Sequence, residues 1–117
     1  MAIASVLTDT FKEELLGGYH SFNASGDTPA GSTFKIALYS DSASLGTTTT
    51  AYAAGNEVSG SGYSAGGNTL TNTGVAKSTV TSYTDFSDTS WTSASFTARG
   101  CLIYNSSSIS GLTSNAA

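Results

Sequence analysis

Thr33-Phe34-Lys35-Ile36-Ala37-Leu38-Tyr39-Ser40 is the stretch on which the fold turns. Phe34, Ile36 and Leu38 alternate with Lys35, Ala37 and Tyr39, the period of a strand with one buried face. We therefore expect Phe34, Ile36 and Leu38 to enter a core, joined by Phe96, Leu102 and Tyr104 from a second strong strand, Ala94 to Tyr104. In that second stretch Ala94, Phe96, Ala98, Gly100, Leu102 and Tyr104 share one face. Cys101 and Ile103 make both faces apolar towards its end, which predicts a half-buried start and a buried finish.

Upstream, Val6 to Leu16 reads as a short helix on which Leu7, Phe11 and Leu15 are spaced i, i+4, i+8. Thr10 and Glu13 offer a capping box, with Thr8 and Asp9 as other caps, and Gly17-Gly18 ends the helix. So short a helix is marginal alone and must dock, on its own domain or as an arm on a neighbouring subunit. Asn23 to Ser32 has ordinary turn chemistry.

Downstream, Asp41 to Thr50 is a polar connection. Asn56-Glu57-Val58-Ser59-Gly60-Ser61-Gly62-Tyr63-Ser64-Ala65-Gly66-Gly67 invites comparison with a phosphate-cradling loop. No Gly-Lys-Ser/Thr follows it, however, and the nearby charge is Glu57, so bulges and turns with positive φ are the better account. Thr69–Thr71 and Val75–Val80 are candidate strands around Asn72-Thr73-Gly74. Asn105 to Ala117 has only Ile109 and Leu112 to bury and reads as a poorly anchored tail.

Short strands separated by glycine-rich turns predict a mainly β fold: an antiparallel β-sandwich or flattened barrel with one short N-terminal helix. The expected organisation is a helical arm over residues 1–18, a β-sandwich domain over 19–105 and a Ser/Gly-rich tail over 106–117.

The composition narrows function by exclusion. The chain of 117 residues is 10% charged, with a net charge of -4, and about a third of it is Ser or Thr. That surface is hydrated yet hardly charged, as on exposed virion or cell-surface β-proteins. Lys12, Lys35, Lys77 and Arg99 form no basic run, which argues against nucleic-acid binding. No apolar run approaches a membrane span, and Met1-Ala2-Ile3-Ala4-Ser5 lacks the look of a signal peptide, so assembly in a cytoplasm is expected. The single cysteine, Cys101, excludes an internal disulfide and is expected to be a buried, silent hydrophobe. The single histidine, His20, is expected to be exposed or on an edge strand. No cofactor, metal or catalytic site is predicted.

Phe34-Lys-Ile-Ala-Leu-Tyr-Ser40, the Asn56–Gly67 segment and Trp91-Thr-Ser-Ala-Ser-Phe-Thr-Ala-Arg-Gly-Cys-Leu-Ile-Tyr104 together resemble a family of small virion-associated structural proteins of tailed bacteriophages. The resemblance spans roughly residues 6 to 105. Members typically open with a short amphipathic helix, and no catalytic residue belongs to the pattern. The family usually continues past the Ile-Tyr-Asn run through one or two further strands, whereas Ser106 to Ala117 lacks the needed alternation. The resemblance implies a non-enzymatic structural protein of the virion surface, a capsid decoration or cement protein bound to the major capsid protein lattice. Local three-fold points in such a lattice call for three equivalent contacts, so association with copies of itself as a trimer is expected. The alternative within that class is a tail, collar or fibre-attachment protein. Leu7, Phe11, Leu15, Ile109 and Leu112 are the candidate subunit and capsid contacts, because neither the helix nor the tail is strongly anchored.

Two other classes fit some of the residue types. A surface carbohydrate-binding module could stack sugars on Tyr39, Tyr52, Tyr63, Tyr83 and Trp91, although such rings more often fill the core of a small sandwich. A hydrolase could pair Asp85 with Asp88, or Glu57 with Asp41, although nothing in the pattern supplies a substrate cleft.

Overall fold

Phe34–Tyr39 forms β1, the middle strand of a three-stranded antiparallel sheet in the order β2–β1–β5, with β2 at Asn68–Leu70 and β5 at Gly100–Asn105. The computed structural model describes residues 3–117. Phe34 lies opposite both Leu70 and Asn105, and Ala37 opposite Leu102. Residues directly opposite share a face. Lys35, Ala37 and Tyr39 therefore stand with Tyr104, Leu102 and Gly100 on one side of the sheet. Phe34, Ile36 and Leu38 stand with Asn105, Ile103 and Cys101 on the other.

Both sides are covered, which corrects the one-face reading of β1. Ala37 and Tyr39, from the side expected to be solvated, are buried in a core cluster together with Leu102, Tyr104, Ala43 and Ala117. Ile3, Leu45 and Tyr52 pack onto that cluster. On the opposite side Phe34 is buried within a group of rings, stacked on Phe22 at 4.6 Å and edge-on to Phe86 at 5.7 Å. Ile36, Leu38 and Phe96 are only half-buried. A middle strand can be covered twice, and alternation alone does not say which face is better covered.

Asn56–Gly67 wraps the open side of β1 through a Tyr39–Glu57 bridge and a bond from Val58 N–H to the Leu38 carbonyl. Its positive φ at Asn56, Gly60, Gly62, Gly66 and Gly67 is as expected. At Gly67 the glycine is obligatory: φ is +75°, and a Cβ would sit 1.8 Å from the Ile36 carbonyl oxygen.

The second sheet is a hairpin of β3 (Asn72–Ser78) and β4 (Thr81–Phe86) joined through Thr79-Val80, with a bulge between Asn72 and Val75. Its base is fixed where Phe86 joins the ring group and the Asn72 amide donates to the carbonyls of Asn23 and Ser32. Every residue from 75 to 85 is exposed. The radius of gyration, 14.7 Å with a long axis of 39 Å, exceeds the roughly 13 Å of a compact domain of this length, as a projecting hairpin requires.

The helix α1 covers Asp9–Leu16, shorter than predicted, because Thr8 caps it: the Thr8 hydroxyl accepts from Phe11 N–H. It ends at Gly17, followed by Gly18 at φ +79°. The chain is thus mainly β, with two antiparallel sheets and one short helix, an arrangement consistent with a sandwich.

Three expectations are corrected. The stretch from Ala94 to Arg99 is not part of a strand but makes one bridge, Ser61 to Ser95, because no neighbouring strand lies alongside it. Strand β4, which has no glycine or asparagine turn before it, was not expected. The last residues are anchored: Ala116 and Ala117 are buried, Asn105 N–H donates to the Ala116 carbonyl, and Ala117 N–H donates to that of Thr50.

Candidate functional site: an apolar groove beside an open strand edge

Ile3 bridges Leu45 in parallel and lies over Gly100, where a Cβ would come within 2.8 Å of its side chain. Farther along, Asp9 N–H donates to the Thr47 carbonyl, and the Thr8 hydroxyl donates to the Ala117 carbonyl at 2.6 Å. Between these anchors Val6 and Leu7 remain 48% and 61% exposed. With Phe11, Phe22, Cys101 and Ile103 they line a groove of about 570 Å³ whose walls are mostly apolar. Ile103 is 45% exposed within it.

One wall of the groove is a bare ladder edge. Ser106 N–H donates to Thr33 on the β1 side, whereas Asn105 N–H donates to Ala116 on the far side. Backbone groups alternate along a strand, so the N–H and C=O of Ile103 and Cys101 also point to the far side. Among the described residues no strand pairs with β5 there.

Of the predicted contacts, the structure brings Leu7 and Phe11 into the groove. Phe11 is half-buried against His20 and Phe22, at ring distances of 4.9 and 6.1 Å. Leu15 is 43% exposed outside the groove lining, and Ile109 and Leu112 are half-buried and do not line it. Sequence reasoning missed Val6, Ile103 and the 92% exposed Leu16. The signal available for Leu16 was its place one residue off the Leu7–Phe11–Leu15 stripe, against two glycines.

The polar residues form a second, structural constellation. The Glu57 carboxylate accepts from Tyr52 hydroxyl (2.6 Å), Tyr63 hydroxyl (2.5 Å) and Gly66 N–H (2.8 Å). Tyr63 oxygen accepts from Leu38 N–H, and Tyr104 hydroxyl donates to the Gly66 carbonyl. Glu57 therefore pins the glycine-rich segment to β1 and β5. Burial, reinforced by the bond to Glu57, raises the Tyr52 and Tyr63 hydroxyls well above the usual phenol value. Burial also pushes Tyr39, which donates to Ala53 C=O, up to about 12, and raises Tyr104. These phenols stay protonated donors across neutral pH.

The other residues singled out by sequence are dispersed. Asp41 stands in an exposed turn and is not among the partners of Glu57; Asp85 and Asp88 are exposed. Tyr39 is core, Tyr52 stacks on Tyr104 at 4.8 Å, and Tyr63 stacks on Trp91 at 6.0 Å, which leaves Tyr83 alone exposed on the hairpin. His20 is buried, not exposed. Asn105 Oδ1 accepts from Ser107 N–H, which turns the amide NH₂ towards His20 Nδ1 at 3.0 Å. Nδ1 is thereby the acceptor, and Nε2–H faces Glu14 at 3.2 Å. Cys101 is exposed on the groove side of β5, correcting the burial expectation, while partial shielding of its sulfur raises the thiol pKa. Among the described residues no group of three His, Cys, Asp or Glu is placed to hold a metal, and no helix is long and apolar enough to cross a membrane. Comparison with protein-family models, with curated proteins and with solved structures finds no match to this chain.

Proposed function

We propose that this chain is a non-enzymatic structural protein of a tailed-phage particle, a decoration or cement protein that binds the major capsid protein lattice on the particle surface after assembly in the host cytoplasm. The observation that carries the reading is the groove: exposed Val6, Leu7 and Ile103 gathered beside an unpaired strand edge, on a surface poor in charge. Exposed apolar patches next to free backbone donors and acceptors are what a protein-binding surface offers. The resemblance of the three quoted segments to virion-associated proteins supplies the kind of partner. Binding only the assembled lattice would stabilise it by mass action.

Copy number in purified particles of the phage that encodes the chain tests this directly. Hundreds of copies, lost on Leu7→Asp with the fold intact, are the expected result. A dozen or fewer at one vertex would replace decoration by the tail or collar role, and absence from particles would overturn the virion reading. The leucine substitution is preferable to removing residues 1–16. Ile3 and Thr8 hold the core and the last residue, so that deletion would damage folding itself.

A further inference from the structure

We propose that the β3–β4 hairpin of one copy docks in the Val6–Leu7–Ile103 groove of the next, so that copies of the chain join arm into groove. The inference rests on the reading that copies associate, and not on which particle they decorate.

The hairpin is built like an arm. It shows solvent an apolar series, Val75 at 57%, Val80 at 91% and Tyr83 at 52% exposed. Its strands pair only with each other, so each also presents a free ladder edge. An isolated two-stranded ribbon is marginal in water, and the roughly 14 Å that project beyond Val75 gain nothing from their own domain. The tip is also costly: Thr79, a β-branched residue, sits at φ +55° and is followed by the most exposed valine of the chain. Such strain at an apolar tip marks a segment shaped for contact rather than for solubility.

The groove is the complementary half. It lacks a strand at the β5 edge, where Cys101 and Ile103 hold out two N–H and two C=O groups, and it lacks apolar cover for Val6, Leu7 and Ile103. An added strand would satisfy the first, and its alternate side chains the second. Charge does not oppose the contact. Among the described residues Arg99 carries the only fixed side-chain charge lining the groove, and the hairpin carries Lys77 and Asp85, which offset each other. The hairpin is exposed from 75 to 85, and only Phe86 at its base reaches its own groove, so the arm itself is free for another copy. Arm and groove are different patches, which makes the contact heterologous: each copy gives one arm and accepts one, closing a ring or extending a fibre.

Sedimentation equilibrium on the purified chain tests the proposal. Reversible association is expected for the natural sequence. Val80→Asp, which spoils the arm, and Ile103→Lys, which spoils the groove, should each weaken it about tenfold or more in Kd. Both positions are exposed, and thermal melting confirms that each variant is folded; Val6→Asp serves as a second groove variant. The decisive sample is an equimolar mixture of Val80→Asp and Ile103→Lys. It retains one good arm and one good groove, so it should form a 1:1 dimer that neither variant forms alone. A natural chain that stays monomeric, association that survives both substitutions, or a mixture that stays monomeric each overturns the contact. Particle copy number is read separately, so loss of the virion role and loss of this contact are distinguishable.

Discussion

The three-stranded sheet and the hairpin are both antiparallel β-structure, yet they are stabilised by opposite means. In β1 one face presses Ala37 and Tyr39 against Leu102, Tyr104 and Ala117, and the other sets Phe34 among the rings of Phe22 and Phe86. In the hairpin nothing from 75 to 85 is buried, and the ladder itself is the main tie. Backbone pairing is common to both; burial belongs to one. A strand ladder can therefore be preserved for stability in one place and for contact in another, and mutational cost should separate the two.

The largest effect should fall in the sheet. Tyr39→Ala removes a fully buried ring and its bond to Ala53, and should cost about 3–5 kcal/mol by urea denaturation. Leu38→Ala, half-buried on the other face, should cost less than about 2 kcal/mol. A Leu38 loss as large as that of Tyr39 would show that Leu38 is as well covered as the Tyr39 face.

Next comes the Glu57 pin. Glu57→Ala strands three donors and should cost about 1–3 kcal/mol, while Glu57→Gln, which keeps one acceptor oxygen, should cost less. The alkaline limb of stability probes the same region. Tyr39 is pushed up to about 12, and Tyr52, Tyr63 and Tyr104 are raised, so the folded state holds phenolic protons that the unfolded state releases from about pH 10. Stability is then full below pH 10 and falls as pH rises towards 12. Phenolate absorbance from these residues should appear together with loss of the β circular-dichroism signal; ionisation well before unfolding would contradict the network.

The smallest effects belong to the hairpin. Thr79→Gly relieves a left-handed β-branched residue and should stabilise by about 0.5–1 kcal/mol, and Val80→Ser should stay within about 0.5 kcal/mol. A loss above 1 kcal/mol at Val80 would show that the arm packs on its own domain. Cys101 gives a chemical reading of the groove. It should label in the native state, since it is exposed, but more slowly than free cysteine at the same pH, because the raised thiol pKa lowers its thiolate fraction. Added protein at high concentration should slow it further if an arm covers it.

The candidate site was legible only in part. Leu7 and Phe11 could be chosen because a helical stripe near a chain end has few local partners. Val6 and Ile103 could not, because each becomes a groove wall only when the segment from Ile3 to Thr8 lies beside β5. Cys101 and Ile103 looked buried because apolar side chains usually are, but a free edge is a property of what fails to pair with it. His20 looked like a surface residue, and its burial follows from Asn105, far away in sequence, turning its amide inward.

The sequence by itself determined the β class, the strand Phe34–Tyr39, a strand running into Tyr104 though not its start, the helix that ends at Gly17-Gly18, and the turns of Asn56–Gly67. Each of these follows from local chemistry: period-two alternation, a glycine C-terminus, positive φ where side chains are absent. Only the tertiary structure decided that both faces of β1 are covered, that Ala116 and Ala117 are buried, that Glu57 is a pin rather than half of an acid pair, and that one hairpin stands free of the core. The physical reason is that alternation tells a strand's two faces apart but does not name what covers them. Coverage is supplied by residues distant in the chain, and it exists only once the chain has closed on itself.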